Sequence, residues 1–405
     1  MVLEKSYIDN ILKKILNTTH LEHYDFITEE YKPKETKYEG EKYFVTVKNS
    51  VNSDKLSIFI KRALVDSEIR KLLPIRGFFI NENNFYDQVW PNLEKFQESY
   101  GRKILFRKIP RCYLTTSKEN AETIVLEKLS RFRANDLTEL FTIEQLLLIF
   151  QEYGRFHALS FAYKEKRPEE YQKLVSQIRD NYEYYKDIKM YVEAMNYSHK
   201  VCLTYLDDKN ASDIKLDNKY ATNAMEVYVE SSKYKGNKSV ITHGDGWISN
   251  YLFHYDATGK PLDLRFVDFQ LARIGTPVYD LASCLYACSS PEHLSDFNRL
   301  LEVYYSSLSQ SLTAMDCDPE KIYSFEDLTG DWKKYSKFGF SYAVFAISNY
   351  YLVEDESDID DSLKIWNNNV NKKIIEEQTK QTIDVVNAKS RLTLLLRHMV
   401  TNGFL

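Results

Sequence analysis

The sequence predicts an α+β chain forming one two-lobed unit, strand-rich near its N-terminus and mainly helical thereafter. Three observations carry this. From about residue 26 to 65, apolar and polar residues alternate, most clearly in Tyr43–Lys48 and Leu56–Lys61, which is the period of a strand. Beyond Thr142 the apolar residues recur at helical spacing, as in Leu146–Ala162 and Phe338–Ala346. The 405 residues are 43% hydrophobic and 14% aromatic, enough to bury a large core.

Bulk properties exclude several classes. A net charge of −5, with basic and acidic residues interspersed, disfavours non-specific nucleic-acid binding. The five cysteines, at 112, 202, 284, 288 and 317, contain no CxxC pair and are odd in number, and they read as reduced thiols of a cytosolic protein. Cys284 and Cys288 share a helical face, but no histidine pair accompanies them to complete a zinc site. Met1-Val-Leu-Glu-Lys5 is charged from the outset, which argues against a secretory leader. No apolar run of about 18 residues suggests a membrane span.

In chain order, Leu3, Tyr7, Ile8, Ile11, Leu12, Ile15 and Leu16 form one face of an amphipathic helix. Its polar face mixes both charge signs, so it is expected to pack on a lobe rather than lie on a membrane. In the strand Leu56–Lys61, Leu56, Ile58 and Ile60 face one way and Ser57, Phe59 and Lys61 the other, so Lys61 points into a cleft while its neighbours are buried. If Phe79–Tyr86, closing at Trp90-Pro91, is the helix that the family resemblance described below implies, Glu82, Tyr86 and Val89 share one face of it. After Lys108–Tyr113 comes an apolar strand, Thr123–Leu129. Thr142-x-x-Gln145 is a capping box opening the helix Leu146–Ala162, which carries His157. Residues 164–235 are charged, Tyr-rich and helical in pattern. Helices around Ala282, Leu300, Phe338 and Ser390–Val400 complete the chain, and the acidic run Glu354–Asp361 reads as a solvated loop.

The chemistry concentrates between Val240 and Leu281. Asp245 and Asn250 are five apart, the D-x-x-x-x-N spacing of phosphoryl-transfer loops. In such a loop the Asp receives or orients the proton of an attacking hydroxyl, and the Asn amide oxygen coordinates Mg²⁺. Tyr251–Tyr255 and Leu264–Val267 read as strands around the turn Asp256–Pro261, so the chain returns and brings Asp268 back beside Asn250. Taken singly, each of these acids would be a turn or cap residue; their combination points to a site.

His243-Gly-Asp245-x-Trp247-x-x-Asn250, then Phe266-Val-Asp268-Phe-Gln270 and Gly275-Thr-Pro-Val-Tyr-Asp280-Leu281, resembles the ecdysteroid kinase-like family, related to choline kinases and aminoglycoside phosphotransferases. The resemblance spans roughly residues 25–405 and is strongest over 240–281. It implies a protein-kinase-like fold: residues 1–126 form an N-terminal lobe with a five-stranded antiparallel sheet and a helix, and residues 127–405 a larger helical lobe. It implies ATP and Mg²⁺ as cofactors and a small-molecule alcohol, such as an ecdysteroid or a lipophilic xenobiotic, as acceptor. Asp245 would be the catalytic base, and Asn250 and Asp268 the metal ligands. Lys61, oriented by Glu82, would bind the ATP phosphates. Glu127-Lys128-Leu129 stands where the family has its Glu-Asp-Leu hinge, so Glu127 and Leu129 would meet the adenine through backbone groups. His157 and His243 would support the catalytic loop, Asp280 would be structural, and Tyr182, Tyr184, Tyr185 and Tyr191 are candidates for the acceptor wall.

Gly40-Glu41-Lys42-Tyr43 resembles the family's phosphate loop, with Lys42 replacing an Asn and no GxGxxG present. Gly246 and Ser249 also depart from the usual pattern. A choline- or aminoglycoside-type kinase would use the same machinery with another pocket. A pseudokinase would lack the base or a metal ligand, and Asp245, Asn250 and Asp268 are all present.

Overall fold

A computed structural model describes residues 5–17, 23–30, 40–51, 55–101, 106–136, 139–204, 219–351 and 385–405. The acidic run Glu354–Asp361 lies outside the described residues.

Five strands, β1 (Tyr24–Glu30), β2 (Gly40–Asn49), β3 (Lys55–Ala63), β4 (Cys112–Thr116) and β5 (Thr123–Glu127), form one antiparallel sheet in the order β1-β2-β3-β5-β4. The alternation read from the sequence assigns its two faces. Ile58 and Ile60 of β3 join Tyr43, Val45, Val47 and Val125 under the apolar side of α1 (Lys5–Ile15), which buries Ile8, Ile11 and Leu12 there. The helix is pinned at its start by the Tyr7 hydroxyl, 2.8 Å from Thr123 Oγ1, and by Arg62, 4.9 Å over the Tyr7 ring. Phe59, Lys61 and Ala63 face the opposite way, towards the helices that follow.

Those helices are α2 (Ser67–Leu72), α3 (Ile75–Asn84) and α4 (Trp90–Glu98). The helix predicted to close at Trp90-Pro91 instead continues past it. A π-turn over Phe85–Val89 joins α3 to α4, and the Trp90 N–H reaches Phe85 O, five residues back. Widening the turn removes the need for the N–H that proline lacks, so Pro91 sits at the start of α4 without breaking the rod. The same turn places Phe85 and Tyr86 together in the core.

The second lobe is built on α5 (Ile143–Lys166). Its capping box forms as read: Thr142 N–H donates to Gln145 Oε1 at 2.9 Å, and Gln145 N–H to Thr142 Oγ1 at 3.4 Å. Next come α6 (Pro168–Val175), α7 (Tyr182–Tyr185), α8 (Lys189–Thr204), α9 (Lys219–Thr222) and α10 (Ala224–Ser232). Two short ladders follow. β6 (Val240–Thr242) pairs with β9 (Arg273–Gly275), and between them β7 (Tyr251–Tyr255) pairs with β8 (Pro261–Phe266). This nesting brings the loop after β6 and the turn after β8 to one place. The chain closes with α11 (Val278–Cys288), α12 (Phe297–Ala314), α13 (Pro319–Ile322), α14 (Phe325–Tyr351) and α15 (Val385–Thr401). Among the described residues no helix is long and apolar enough to cross a membrane.

Two helix pairs, α5 with α12 and α11 with α14, make the core of this lobe. The first is close at Gly154, where an added Cβ would lie 2.5 Å from Tyr304 O and 2.9 Å from Leu308 N. These are backbone atoms of a packed helix and have little room to yield. Gly154→Ala is therefore expected to destabilise the chain by about 1–3 kcal/mol through overpacking, although alanine favours an isolated helix by about 1 kcal/mol. Urea denaturation of the two proteins tests this, and a more stable alanine variant would refute so close a crossing.

Candidate active site

The strand β3 delivers Lys61 to the cleft side of the sheet, where it is 3% exposed. A buried ammonium needs partners for its three protons, and each finds one. Lys61 Nζ lies 2.7 Å from Glu82 Oε2 on α3, 2.7 Å from Asp268 Oδ1 and 3.2 Å from Gln270 Oε1, the last two in the turn after β8. Sheet, helix and second lobe thus meet on one nitrogen. Burial pushes the Glu82 carboxyl up to about 7, against the pull of Lys61 and with some help from the charge of Asp268.

Asp268 has φ 68° and ψ 61°, the left-handed region that Asp enters more readily than most side chains. The turn it begins is held from several sides. Asn81 Nδ2 donates to Gln270 O at 3.0 Å and Ala272 O at 2.8 Å, and Asn181 Nδ2 adds a bond to Gln270 O at 3.1 Å. Phe269 stacks on Phe85 with centroids 3.8 Å apart and planes 6° from parallel. The π-turn in the α3–α4 rod is what presents Phe85 to it.

The loop after β6 hangs on Asp280. One carboxylate oxygen accepts the His243 N–H at 2.7 Å and His157 Nε2 at 3.0 Å; the other accepts the Gly244 N–H at 2.9 Å. His157 Nδ1 completes the set with the Tyr304 hydroxyl at 3.1 Å. His157 therefore supports the loop, as expected from the sequence, and does so through Asp280. His243 does touch backbone. Its Nδ1 accepts the Asp245 N–H at 3.2 Å and its Nε2–H donates to Val267 O at 2.9 Å, linking the loop to the residue before Asp268. Gly244 has φ 83°, and a Cβ there would lie 1.9 Å from Leu271 O, so this position admits only glycine.

The loop carries Asp245 and Asn250 to the same cleft. Asn250 Nδ2 donates to Asp245 O at 3.2 Å, and the Val267 N–H donates to Asn250 O at 3.1 Å, so the amide and the Asp268 turn are neighbours. An amide oxygen and a carboxylate are hard donors of the type Mg²⁺ takes, the remaining positions being filled by water and phosphate oxygens. Asn250 and Asp268 are of the chemical type that such an ion takes.

One residue went unnoticed in the sequence. The Tyr342 hydroxyl, on α14, donates to Asp245 Oδ1 at 2.8 Å, and its ring meets Trp247 edge-on at 6.5 Å. The acceptor-wall candidates fare differently. Tyr182 is buried beneath the loop and donates its hydroxyl to Gly244 O, so it is a support. Tyr185 packs against Phe78 and Tyr191, Tyr191 also against Phe345, and Tyr184 is largely exposed.

At the inter-lobe connector, Glu127 turns its side chain back to the Arg111 N–H at 2.9 Å. Lys128 N–H donates to Ser57 O at 3.0 Å, and Leu129 O accepts the Phe132 N–H at 3.0 Å. The connector is thus tied to β3 and to the residue just before β4. Gly40–Tyr43, which resembles a phosphate loop, is strand: it pairs with Ile60–Ala63 of β3, so its backbone belongs to the sheet ladder.

The model of the ecdysteroid kinase-like family matches residues 37–317, more than half of the chain. Comparison with curated proteins finds no match.

The Glu82 carboxyl yields a prediction whose sign is fixed by the direction of its shift. The folded chain holds that proton more tightly than the unfolded chain, so stability should fall as pH rises from about 4.5 to about 7. The slope lost is at most about 1.4 kcal/mol per pH unit. Melting temperatures of the nucleotide-free protein should decline over this window more steeply than those of Glu82→Gln; parallel curves would contradict the assignment.

Proposed function

Since the chain belongs to the ecdysteroid kinase-like family, we propose that it is an ATP- and Mg²⁺-dependent phosphotransferase acting on the hydroxyl of a small molecule, with an ecdysteroid or another lipophilic or xenobiotic alcohol as acceptor. The family supports the coarser statement, a kinase-like small-molecule phosphotransferase. The observation that carries the finer one is the convergence on one cleft of Lys61, Glu82 and Asp268 with the Asp245–Asn250 loop.

In this reading Lys61, held by Glu82, neutralises oxygens of the ATP phosphates. Asn250 and Asp268 would hold Mg²⁺, which would supply neutralising positive charge for the phosphoryl group in transfer. Asp245 orients the acceptor hydroxyl in line with the γ-phosphorus. As the new O–P bond forms and the bond to the ADP oxygen breaks, Asp245 accepts the acceptor's proton. Tyr342 fixes one carboxylate oxygen of Asp245 and leaves the other for the acceptor. The rings of Trp247 and Tyr342, which meet beside Asp245, would suit an apolar acceptor. Glu127 and Leu129 flank the adenine at the connector, and the reaction would run in the cytoplasm, where Mg·ATP is abundant.

The test is mass spectrometry of a mixed panel of ecdysteroids, other sterols, choline and aminoglycosides incubated with protein and Mg·ATP. A phosphorylated sterol, absent with Asp245→Asn, is the expected result. A phosphorylated choline or aminoglycoside would replace the lipophilic acceptor with a cationic one. Failure of every compound despite tight Mg·ATP binding would favour a silent nucleotide-binding protein. Asp245→Asn is expected to retain Mg·ATP binding while losing turnover, and Asp268→Asn to weaken Mg·ATP binding itself. Equal turnover by Asp245→Asn and wild type would overturn the mechanism. Tyr342→Phe should lower kcat about tenfold, the scale of one hydrogen bond to a charged group, with nucleotide affinity unchanged in calorimetry.

A further inference from the structure

We infer that Arg273 is a positioning residue for Asp245, acting through the phenol of Tyr182. The inference rests on the phosphotransfer reading above and deepens it by naming what holds the peptide that carries the base.

The peptide unit between Gly244 and Asp245 is planar, so fixing its two poles fixes the direction in which Asp245 leaves it. Its N–H end is held by His243, whose Nδ1 accepts at 3.2 Å. Its carbonyl end accepts the hydroxyl of Tyr182. That hydroxyl remains a donor at any working pH, because burial pushes the phenol well above its usual range, with Tyr228 and Asp245 adding to the rise and Arg273 opposing it. One hydrogen bond from a phenol places the carbonyl only as well as the ring itself is placed.

Arg273 opens β9 and is 1% exposed. Its guanidinium lies over three rings, with Cζ 4.5 Å from the centroid of Tyr182, 4.4 Å from Tyr279 and 4.9 Å from Phe338. Phe338 in turn meets Tyr182 edge-on at 5.4 Å, so one cage grips the Tyr182 ring from two sides. The cation is desolvated, the condition in which attraction to an aromatic face is strongest. Its hydrogen bonds are few for a group with five donors. Nη1 meets Asp180 Oδ2 at 3.3 Å, Nη2 donates to Ser232 O at 3.1 Å, and Nε is buried with no acceptor among the described residues. Asp180 is itself 44% exposed. A buried guanidinium paired so sparsely is a weak source of stability, and the three rings are what it orders.

The backbone of the same residue supplies the reference point. Arg273 pairs with Thr242 in the β6–β9 ladder, and Thr242 Oγ1 donates to Arg273 O at 3.0 Å. Arg273 therefore reaches the loop on both sides of His243, through the ladder at Thr242 and through Tyr182 at Gly244. The distance between those two points is set within a single residue.

The test is a double-mutant cycle on the full chain, reading ADP release from Mg·ATP with the mixed acceptor panel present and hydrogen exchange of peptides within 240–250. Arg273→Met and Tyr182→Phe should each lower kcat about tenfold, leave KM for Mg·ATP unchanged and speed exchange of the loop amides. Because one residue acts through the other, the double variant should fall no further than the worse single one. Arg273→Lys keeps a cation but not the flat guanidinium and should lose about threefold; it replaces Arg273→Met in the cycle if that variant does not fold. Unchanged kcat and exchange in the Arg273 variants would overturn the inference and leave the phosphotransfer reading standing. Losses that multiply in the double variant would overturn it too, since they mark two independent effects. So would a loss of kcat matched by the fraction unfolded in circular dichroism, which marks a role in the fold alone. A wild-type chain that releases no ADP would remove the phosphotransfer reading, while the exchange rates would still decide whether Arg273 and Tyr182 hold the loop.

Discussion

The buried ammonium of Lys61 is the constraint on which the rest of the arrangement depends. Removing a charge from water is expensive, and the interior compensates only when geometry is close and every proton has an acceptor. Lys61 meets that condition through three acceptors from two different parts of the chain. Each acceptor imposes a demand. Glu82 requires α3 to lie against the sheet at a fixed rotation, Asp268 requires a left-handed residue at the end of β8, and Gln270 requires the following turn to fold back under the helix. The packing of Phe269 on Phe85 and the bonds from Asn81 meet the last two demands. An ion pair of this kind is a poor source of net stability; its contribution is to specify one relative placement of the lobes.

A second buried carboxylate does similar work for the loop. Asp280 accepts two backbone N–H groups and a histidine, so the path from His243 to Gly244 is fixed before Asp245 is reached. His243 then bridges to Val267, one residue before Asp268. The two halves of the site are thereby joined below the cleft by neutral hydrogen bonds and above it by the charged cluster at Lys61. Positioning of this sort lets side chains act without reorganising when a reaction begins.

Much of this was legible in the sequence because its determinants are local. The alternation of Leu56–Lys61 gives the direction of Lys61, the Asp245–Asn250 spacing gives one loop, and turn residues at Asp256–Pro261 give the hairpin that returns Asp268. What was missed depends on approach between distant segments. Tyr342 lies 97 residues from Asp245, in a helix that gives Trp332, Tyr335, Phe338 and Phe340 to the core. No pattern distinguishes a phenol that meets a carboxylate from one that meets a ring. The π-turn was hidden for a related reason: Pro91 signals a helix end, and only the packing of Phe85 and Tyr86 under Phe269 explains why the rod continues. Tyr182, a candidate for the pocket wall whose default reading was a packing aromatic, is buried under the loop with its hydroxyl on Gly244 O.

The charge count at the cluster bears on how such a site would work. Lys61 serves both Glu82 and Asp268, and burial, only partly offset by Lys61, holds the Glu82 carboxyl above its usual range. In the proposed reaction Asp268 would hold Mg²⁺ together with Asn250. That change would leave Lys61 with Glu82 and with a proton available to phosphate. Metal binding and phosphate binding would then favour each other through the same nitrogen. The bonds from Asn81 and Asn181 to the turn after Asp268 point the same way: they hold the backbone still while the side-chain charges exchange partners.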